Sequence, residues 1–267
     1  MSSSSESLAE EERDQDVSGA LRLTPRQADV LLGVLGPGLE PSTQRSNPLS
    51  AREKLLCALR SSLRMSIKGC SSWAVREVTS LINIKLADQI KWPRIKKAVA
   101  KSPLNFSDLQ DRECLLLWRR RWNADFTRTL SKGTRDRHQQ HSINAMAVAA
   151  PDYRFHFLSA KWPGSVNDAR VLRIVQWRLG LNNKRWLVPM RLHAAQEFER
   201  FYKCHSKTRR IVECAFGVWK NRFRCLKSGL RLKNPTYCCE VIKAYGYLHN
   251  FILQERTVEE EMTGLHG

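Results

Sequence analysis

The sequence contains no run of apolar residues long enough to cross a membrane, and its start lacks the layout of a secretory leader. A spanning helix needs roughly 18 or more consecutive apolar residues, and no such run occurs among the 267 residues. The opening Met-Ser-Ser-Ser-Ser-Glu has no basic segment followed by an apolar one. We therefore expect a protein that makes no membrane contact.

Cysteine pairs with the spacing of metal ligands are also missing. The eight cysteines form no C-x-x-C pair, and Cys204, Cys214 and Cys225 are separated by ten and eleven residues, too far for a zinc knuckle. This spacing favours reduced, partly buried thiols over a structural zinc site, as is typical of cytosolic or nuclear proteins.

Acidic residues are scarce relative to basic ones. The chain has 26 Asp and Glu residues against 45 Lys and Arg residues, which gives a net charge of +19. Such a balance indicates a polyanionic partner, with nucleic acid the first candidate, and a ribosomal-type or merely solubilising basic surface as the alternative. Within 200–233, eleven basic residues accompany a single acid, Glu213.

Both ends of the chain are acidic, and helical periodicity begins soon after the first end. Residues 1–20 are Ser-rich and acidic without periodicity, which predicts a disordered tail, and 256–267 is interpreted as a second acidic tail. Residues 21–105 are predicted to be a helical region with a small-residue turn. That pattern suits a helix-turn-helix, and it suits any three-helix bundle equally well.

Start and stop signals mark the first helices of this region. Thr24 is an N-cap followed by Pro25 at the first helical position, and Gly36-Pro37-Gly38 is the expected stop. Ser50 and Glu53 form a capping box that opens the second helix. A third helix is expected after it.

The second half of the chain holds a hairpin pattern and a long helix. Apolar residues alternate with their neighbours from Ile143 and again from Tyr153, on either side of a turn at 150–152, which predicts two antiparallel strands. A helical pattern with one apolar face fills 194–226, and a final amphipathic helix is expected over 241–253.

The isolated Glu213 has two interpretations. In the simpler one it is an ion-pair partner of the surrounding bases, which contributes little to stability. In the other it is a metal ligand, because phosphodiester cleavage by two divalent ions needs three or four carboxylates from different elements, with basic residues to hold the phosphate backbone. Asp168, which follows the predicted hairpin, would be a second ligand.

Four motifs, in order along the chain, resemble those of Harbinger-type transposases and of the nucleases derived from them. His141-Ser-Ile-Asn144 resembles the family's strand opening, Trp162-Pro-Gly-Ser-Val-Asn-Asp168 resembles the W-P-G-S-x-x-D loop, and Leu248-His-Asn250 resembles the closing L-H-N. The segment 205–226 is similar to H-x-x-T-R-x-x-x-E-x-x-F-G-x-x-K-x-R-[WF]-x-x-L. The resemblance covers roughly 141–253.

The resemblance implies a nuclease domain over 106–255 with an α/β, ribonuclease H-like fold, a mixed sheet flanked by helices, that binds Mg²⁺ or Mn²⁺ and cuts DNA. Asp168 and Glu213 match catalytic metal ligands of the family pattern. A Myb-like DNA-binding partner protein is also implied, with a location in nucleus and cytoplasm. The candidates for contact with nucleic-acid phosphate are Arg209, Arg210, Lys220 and Arg222.

Two acids of the family pattern have no clean match. The first normally lies in a strand before the H-S-I-N motif, where no strand is evident in this chain, and Asp125 is a displaced candidate, with Asp152 a further substitute. The second lies in a strand between Asp168 and Glu213 that is missing here. Two carboxylates hold hard divalent cations weakly. The sequence therefore predicts an incomplete nuclease of impaired activity, with a catalytically dead DNA- or partner-binding remnant as the alternative.

Overall fold

The chain folds into two compact units. The structure is a computed structural model that describes residues 23–41, 48–63, 72–91, 116–123, 142–150, 152–166, 170–171, 199–230, 232 and 234–264. Unit 1 comprises Met1–Gln89 and Trp219–Gly267, and unit 2 comprises Ile90–Val218. The residues expected to form the N-terminal tail lie outside the described part of the chain.

Helix α1 spans Pro25–Leu39 and begins where its cap predicted. The Thr24 hydroxyl accepts a 3.2 Å hydrogen bond from the Gln27 N–H, and the Gln27 side-chain oxygen accepts one of 3.1 Å from the Thr24 N–H. These two bonds satisfy amides that would otherwise have no partner at the helix start. The Gln27 side chain also donates to the Ile252 carbonyl at 3.3 Å.

The predicted end of α1 at Gly36-Pro37-Gly38 is wrong, because the helix continues through Pro37 to Leu39. Leu39 is fully buried, and its carbonyl accepts a 2.7 Å hydrogen bond from the Lys54 ammonium. Burial and this charged cap stabilise a last turn that the local sequence disfavours.

The next helices are α2, Ala51–Leu63, and α3, Ser72–Lys85, followed by a short 3-10 turn at Ala87–Gln89. The capping box of α2 is confirmed: the Ser50 N–H donates to the Glu53 carboxylate at 2.7 Å, and the Glu53 N–H donates to the Ser50 hydroxyl at 3.3 Å.

Three helices follow in the last quarter of the chain: α4, Glu199–Arg222, α5, Cys225–Ser228, and α6, Pro235–Gly264. The helix expected over 194–226 is thus interrupted after Arg222. Helix α6 includes the acidic segment that the sequence predicts to be a tail, since glutamates are good helix formers and neither glycine nor proline occurs between Gly246 and Gly264.

Unit 1 joins the N-terminal helices to the C-terminal ones. The Asn83 amide donates to the Glu240 carbonyl at 3.1 Å, and the Asn250 amide donates to the Gln89 carbonyl at 2.7 Å. This division differs from the one expected from the sequence, which assigned the C-terminal helix to the nuclease domain. Fully buried side chains of unit 1 include Leu31, Leu35, Leu39, Trp219, Phe223, Ile242, Leu248 and Ile252.

Unit 2 contains a three-stranded antiparallel sheet in the order β1-β2-β3. The strands are β1, Leu116–Asn123, β2, Ser142–Ala149, and β3, Phe155–Pro163. The predicted hairpin is confirmed as β2 and β3, in which Val148 faces Phe157. Strands and helices together are consistent with an α/β protein.

Strand β1 lies in a region where the sequence predicts no strand, and that prediction is wrong. All eight residues of β1 pair with β2, from Leu116 opposite Ala149 to Asn123 opposite Ser142. Its sequence, Leu-Leu-Trp-Arg-Arg-Arg-Trp-Asn, lacks the alternation of apolar and polar residues that is typical of a strand, because three arginines follow one another. The hydrogen bonds to the buried strand β2 stabilise β1 as a strand, although its own sequence has no strand pattern.

The cysteines depart in part from the expected reduced state. Cys214, Cys225, Cys238 and Cys239 are free thiols, whereas Cys57 is disulfide-bonded. Among the helices of the described residues, none is both long and apolar enough to cross a membrane.

Candidate functional site

The last residues of β1 and β3 lie at the same edge of the sheet. Asn123 of β1 is opposite Ser142 at the start of β2, and Pro163 of β3 is opposite Ile143 beside it. Two of the candidate acids follow these strand ends in sequence, Asp125 after β1 and Asp168 after β3. Both acids lie outside the described residues.

The W-P-G-S loop that follows β3 is held by the asparagine of the H-S-I-N motif. Asn144 is fully buried, and its amide nitrogen lies 2.9 Å from the Pro163 carbonyl, 3.3 Å from that of Gly164 and 3.1 Å from that of Val166. A buried amide that donates to these carbonyls satisfies loop groups that the sheet ladder does not reach. The two motifs therefore form one local structure.

Gly164 is needed in this loop because its backbone approaches β2 closely. Its N–H donates a 2.7 Å hydrogen bond to the Ser142 carbonyl. A Cβ at this position would lie 1.8 Å from the Ser142 hydroxyl oxygen and 3.0 Å from both the Cβ and the carbonyl oxygen of Ser142. The roles of Ser142, Asn144 and Gly164 were not foreseen, although all three belong to the motifs that carried the resemblance.

Glu213 is exposed on α4, and its helical turn lies beside the opposite end of β3. Phe216, one turn later, contacts Phe155 with ring centroids 5.7 Å apart, and Phe155 is the first residue of β3. The loop leading to Asp168 begins at the far end of that strand, about 26 Å away along eight steps of about 3.3 Å. After this loop the chain turns back over the sheet, since Val171 packs against Met146, which pairs with Ser159 in the middle of β3. The proximity of Asp168 and Glu213 stays a prediction.

The position of Asp152 does not suit its predicted role as a substitute metal ligand beside Asp125 and Asp168. It lies in the turn between β2 and β3, at the end of the hairpin away from Gly164. Its carboxylate accepts hydrogen bonds from the backbone N–H and the guanidinium of Arg154. This ion pair closes the turn and does not face the edge from which Asp125 and Asp168 follow.

The basic candidates on α4 differ in exposure. Arg210 is exposed and Lys220 is half-buried, whereas the side chain of Arg209 lies outside the described part. Arg222 is only 4% exposed, and its guanidinium Nη1 lies 3.1 Å from Nδ1 of His249. Arg222 is therefore not presented to a phosphate backbone, contrary to the expectation from the motif.

The described side chains do not by themselves fit a divalent-metal site. Within the described ranges, no three His, Cys, Asp or Glu side chains are grouped closely enough to hold a metal ion, and of the candidate ligands only Glu213 and Asp152 are among the described residues. Hard cations need several oxygen ligands each.

Comparison with known proteins supports the family resemblance. Residues 182–250 match the family described as DDE superfamily endonuclease. The chain is 25% identical over 269 aligned positions to the human protein named nuclease HARBI1, and 26% identical over 268 positions to the mouse protein of that name, a nuclease designation that is itself provisional. Each alignment covers 86% of this chain and 75% of the relative. No solved structure matches the chain significantly.

The alignment with the human relative also indicates that this chain is shorter internally. Its 269 positions include 86% of the 267 residues, which is about 230 residues, so about 39 positions of the alignment have no residue in this chain. This gap is in line with the expectation that structural elements of the family are missing here.

Proposed function

Because this chain is homologous to the Harbinger transposase-derived nuclease HARBI1 and contains a segment of the DDE superfamily endonuclease domain, we propose that it is a DNA-binding protein derived from a metal-dependent nuclease. We further propose that it does not cleave DNA in its present form. The protein would act in the nucleus, with a further pool in the cytoplasm.

The small number of matched carboxylates carries the proposal that cleavage is lost, since only Asp168 and Glu213 match the acids of the family pattern cleanly. Glu213 is exposed on α4, in a turn that packs near Phe155, the first residue of β3. Two-metal cleavage needs the carboxylates close enough to share or bridge adjacent ions. The internal gap relative to the human homologue supports the same proposal, since a deleted strand would remove a further ligand.

The basic charge carries the proposal of DNA binding. Eleven basic residues lie within 200–233, and Arg210 is exposed on α4. Contacts between such residues and phosphate release condensed counterions, so binding would depend steeply on salt and little on base sequence. A Myb-like partner protein would then supply sequence recognition.

A metal-dependent nuclease is the second candidate, and the sheet edge favours it. The strands that precede Asp125 and Asp168 end at the same end of the sheet, on either side of β2, so these two acids follow from one edge. Asp125, Asp168 and Glu213 would be the three carboxylates that bind Mg²⁺ or Mn²⁺. Arg209, Arg210 and Lys220 would contact phosphate in either candidate.

Plasmid nicking by the purified full-length chain over a range of Mn²⁺ concentrations separates the two candidates. We expect no nicking above that of the Glu213→Ala variant, because too few carboxylates are gathered to hold two hard cations. Robust nicking that disappears in Asp125→Ala, Asp168→Ala and Glu213→Ala would refute the loss of cleavage and establish the nuclease.

DNA binding is tested separately by fluorescence anisotropy with a duplex at several salt concentrations. The Arg210→Ala and Lys220→Ala variants should each make the negative slope of log affinity against log salt shallower by about 0.9, the value for one phosphate contact. Salt-insensitive binding, or the same slope in both variants as in the unaltered chain, would exclude this helix as the phosphate-binding surface.

A further inference from the structure

The end of α4 and the middle of α6 are joined by specific contacts inside unit 1. The Trp219 indole N–H donates a 2.9 Å hydrogen bond to the Tyr245 carbonyl. Phe223 stacks on the Tyr245 ring with centroids 4.7 Å apart and planes inclined by 5°. Trp219 and Phe223 are fully buried. Aromatic packing and one buried hydrogen bond thus hold this helix pair together.

A buried polar pair lies within the same contact. Arg222 is 4% exposed and His249 is fully buried, and the guanidinium Nη1 lies 3.1 Å from the imidazole Nδ1. A guanidinium has no acceptor, so the arginine must donate and Nδ1 must accept. The imidazole is therefore in its neutral form, with no proton on Nδ1 and its proton on Nε2.

We infer that Arg222 and His249 are structural partners that dock the end of α4 onto α6, and that Arg222 makes no contact with nucleic-acid phosphate. The two residues come from two separate motifs, K-x-R and L-H-N, and the contact explains why both motifs carry a polar residue inside an apolar region. The pairing of Arg222 with His249 does not depend on whether the chain binds or cuts DNA, whereas the absence of a phosphate contact at Arg222 rests on the proposed DNA binding.

Burial and partner geometry decide between the two roles. A guanidinium that tracks phosphate must be exposed to an incoming duplex, as Arg210 is. Removing one member of a buried polar pair leaves the other without its partner and is strongly destabilising, whereas replacing both with apolar side chains of similar volume is often close to neutral. The pair therefore has a signature that a surface phosphate contact lacks.

Thermal unfolding of the full-length chain tests the pairing. Arg222→Met and His249→Leu should each lower the melting temperature by about 6–20 °C, and the double variant should melt closer to the unaltered chain than either single variant. His249→Asn keeps an accepting amide oxygen near the position of Nδ1, so its melting temperature should fall less than that of His249→Leu.

Losses that simply add in the double variant would overturn the inference. If a single variant does not fold, recovery of soluble, cooperatively unfolding protein by the double variant supports the pair, and failure of the double variant to fold refutes it.

The salt dependence of DNA binding tests the second half of the inference. Lys220→Met is the matched control, because it removes one positive charge two residues away on the same helix. We expect the negative slope of log affinity against log salt to become shallower by about 0.9 in Lys220→Met. The slope should stay unchanged in the Arg222→Met/His249→Leu variant. A fall of similar size in that double variant would show that Arg222 does contact phosphate.

Discussion

Replacement of Gly164 by alanine tests the contact that joins the W-P-G-S loop to strand β2. The added Cβ would lie 1.8 Å from the Ser142 hydroxyl oxygen, 3.0 Å from the Ser142 Cβ and 3.0 Å from its carbonyl oxygen. Rotation of the hydroxyl relieves the first clash. The other two contacts involve atoms fixed to the strand, so the loop backbone must move and its 2.7 Å hydrogen bond to Ser142 must lengthen.

The expected cost is that of moderate overpacking, about 1–3 kcal/mol. For a chain of this size, each kcal/mol lowers the melting temperature by roughly 2–4 °C. Gly164→Ala should therefore melt about 2–12 °C below the unaltered chain. Because the same loop leads to Asp168, any metal binding that involves that residue should weaken in parallel.

The assay is thermal unfolding followed by circular dichroism, with one control and one rescue. Gly217→Ala is the control, because a Cβ at Gly217 meets no atom within 4 Å and alanine favours a helix over glycine. Ser142→Gly in the Gly164→Ala background removes the hydroxyl and the Cβ and should restore part of the loss. A Gly164→Ala variant that melts like Gly217→Ala would refute the close-approach argument.

Two further predictions concern the helices. Lys54→Met should lower the free energy of unfolding by about 1.5–3 kcal/mol in urea titrations, since Lys54 is buried, donates to the Leu39 carbonyl and pairs with Glu77 at 3.1 Å; an unchanged midpoint would show that these contacts are unimportant. Burial raises the pKa of the Cys225 and Cys238 thiols to about 12, so both should resist a thiol reagent at pH 8 while the exposed Cys214 reacts. Because the pKa of each thiol in the folded protein lies above its ordinary value of 9.0, their contribution to stability is fully present below pH 9 and is lost between pH 9 and 12, as alkaline melting curves would show. Equal labelling of all three thiols would contradict the burial.

Local sequence signals predicted the elements that depend on neighbouring residues alone. The caps at Thr24 and Ser50 hold as expected, because each is completed by a residue three positions away. The hairpin holds because its alternation and turn are contiguous. The similarity to nucleases of the DDE type was also visible in the sequence, since four short motifs occur in order although the identity to the human relative is only 25%.

The site could be predicted only in part. Motif spacing named Asp168 and Glu213, but it could not show that the turn carrying Glu213 packs by Phe155. Nor could it show that Asn144 ties the loop before Asp168 to β2. Distances between residues far apart in sequence follow from packing, and a motif records only their order.

By itself the sequence determined the helical periods, the caps, the hairpin and the basic charge, because each is a property of adjacent residues or of composition. Only the tertiary structure decided that the arginine-rich segment 116–123 is a strand, because its partner β2 supplies the pairing. It also decided that α1 continues to Leu39, where the Lys54 ammonium donates a hydrogen bond to the Leu39 carbonyl and so stabilises the last turn. Arg222 looks like a surface base in sequence, and it is buried because His249, 27 residues later, provides its hydrogen-bond acceptor.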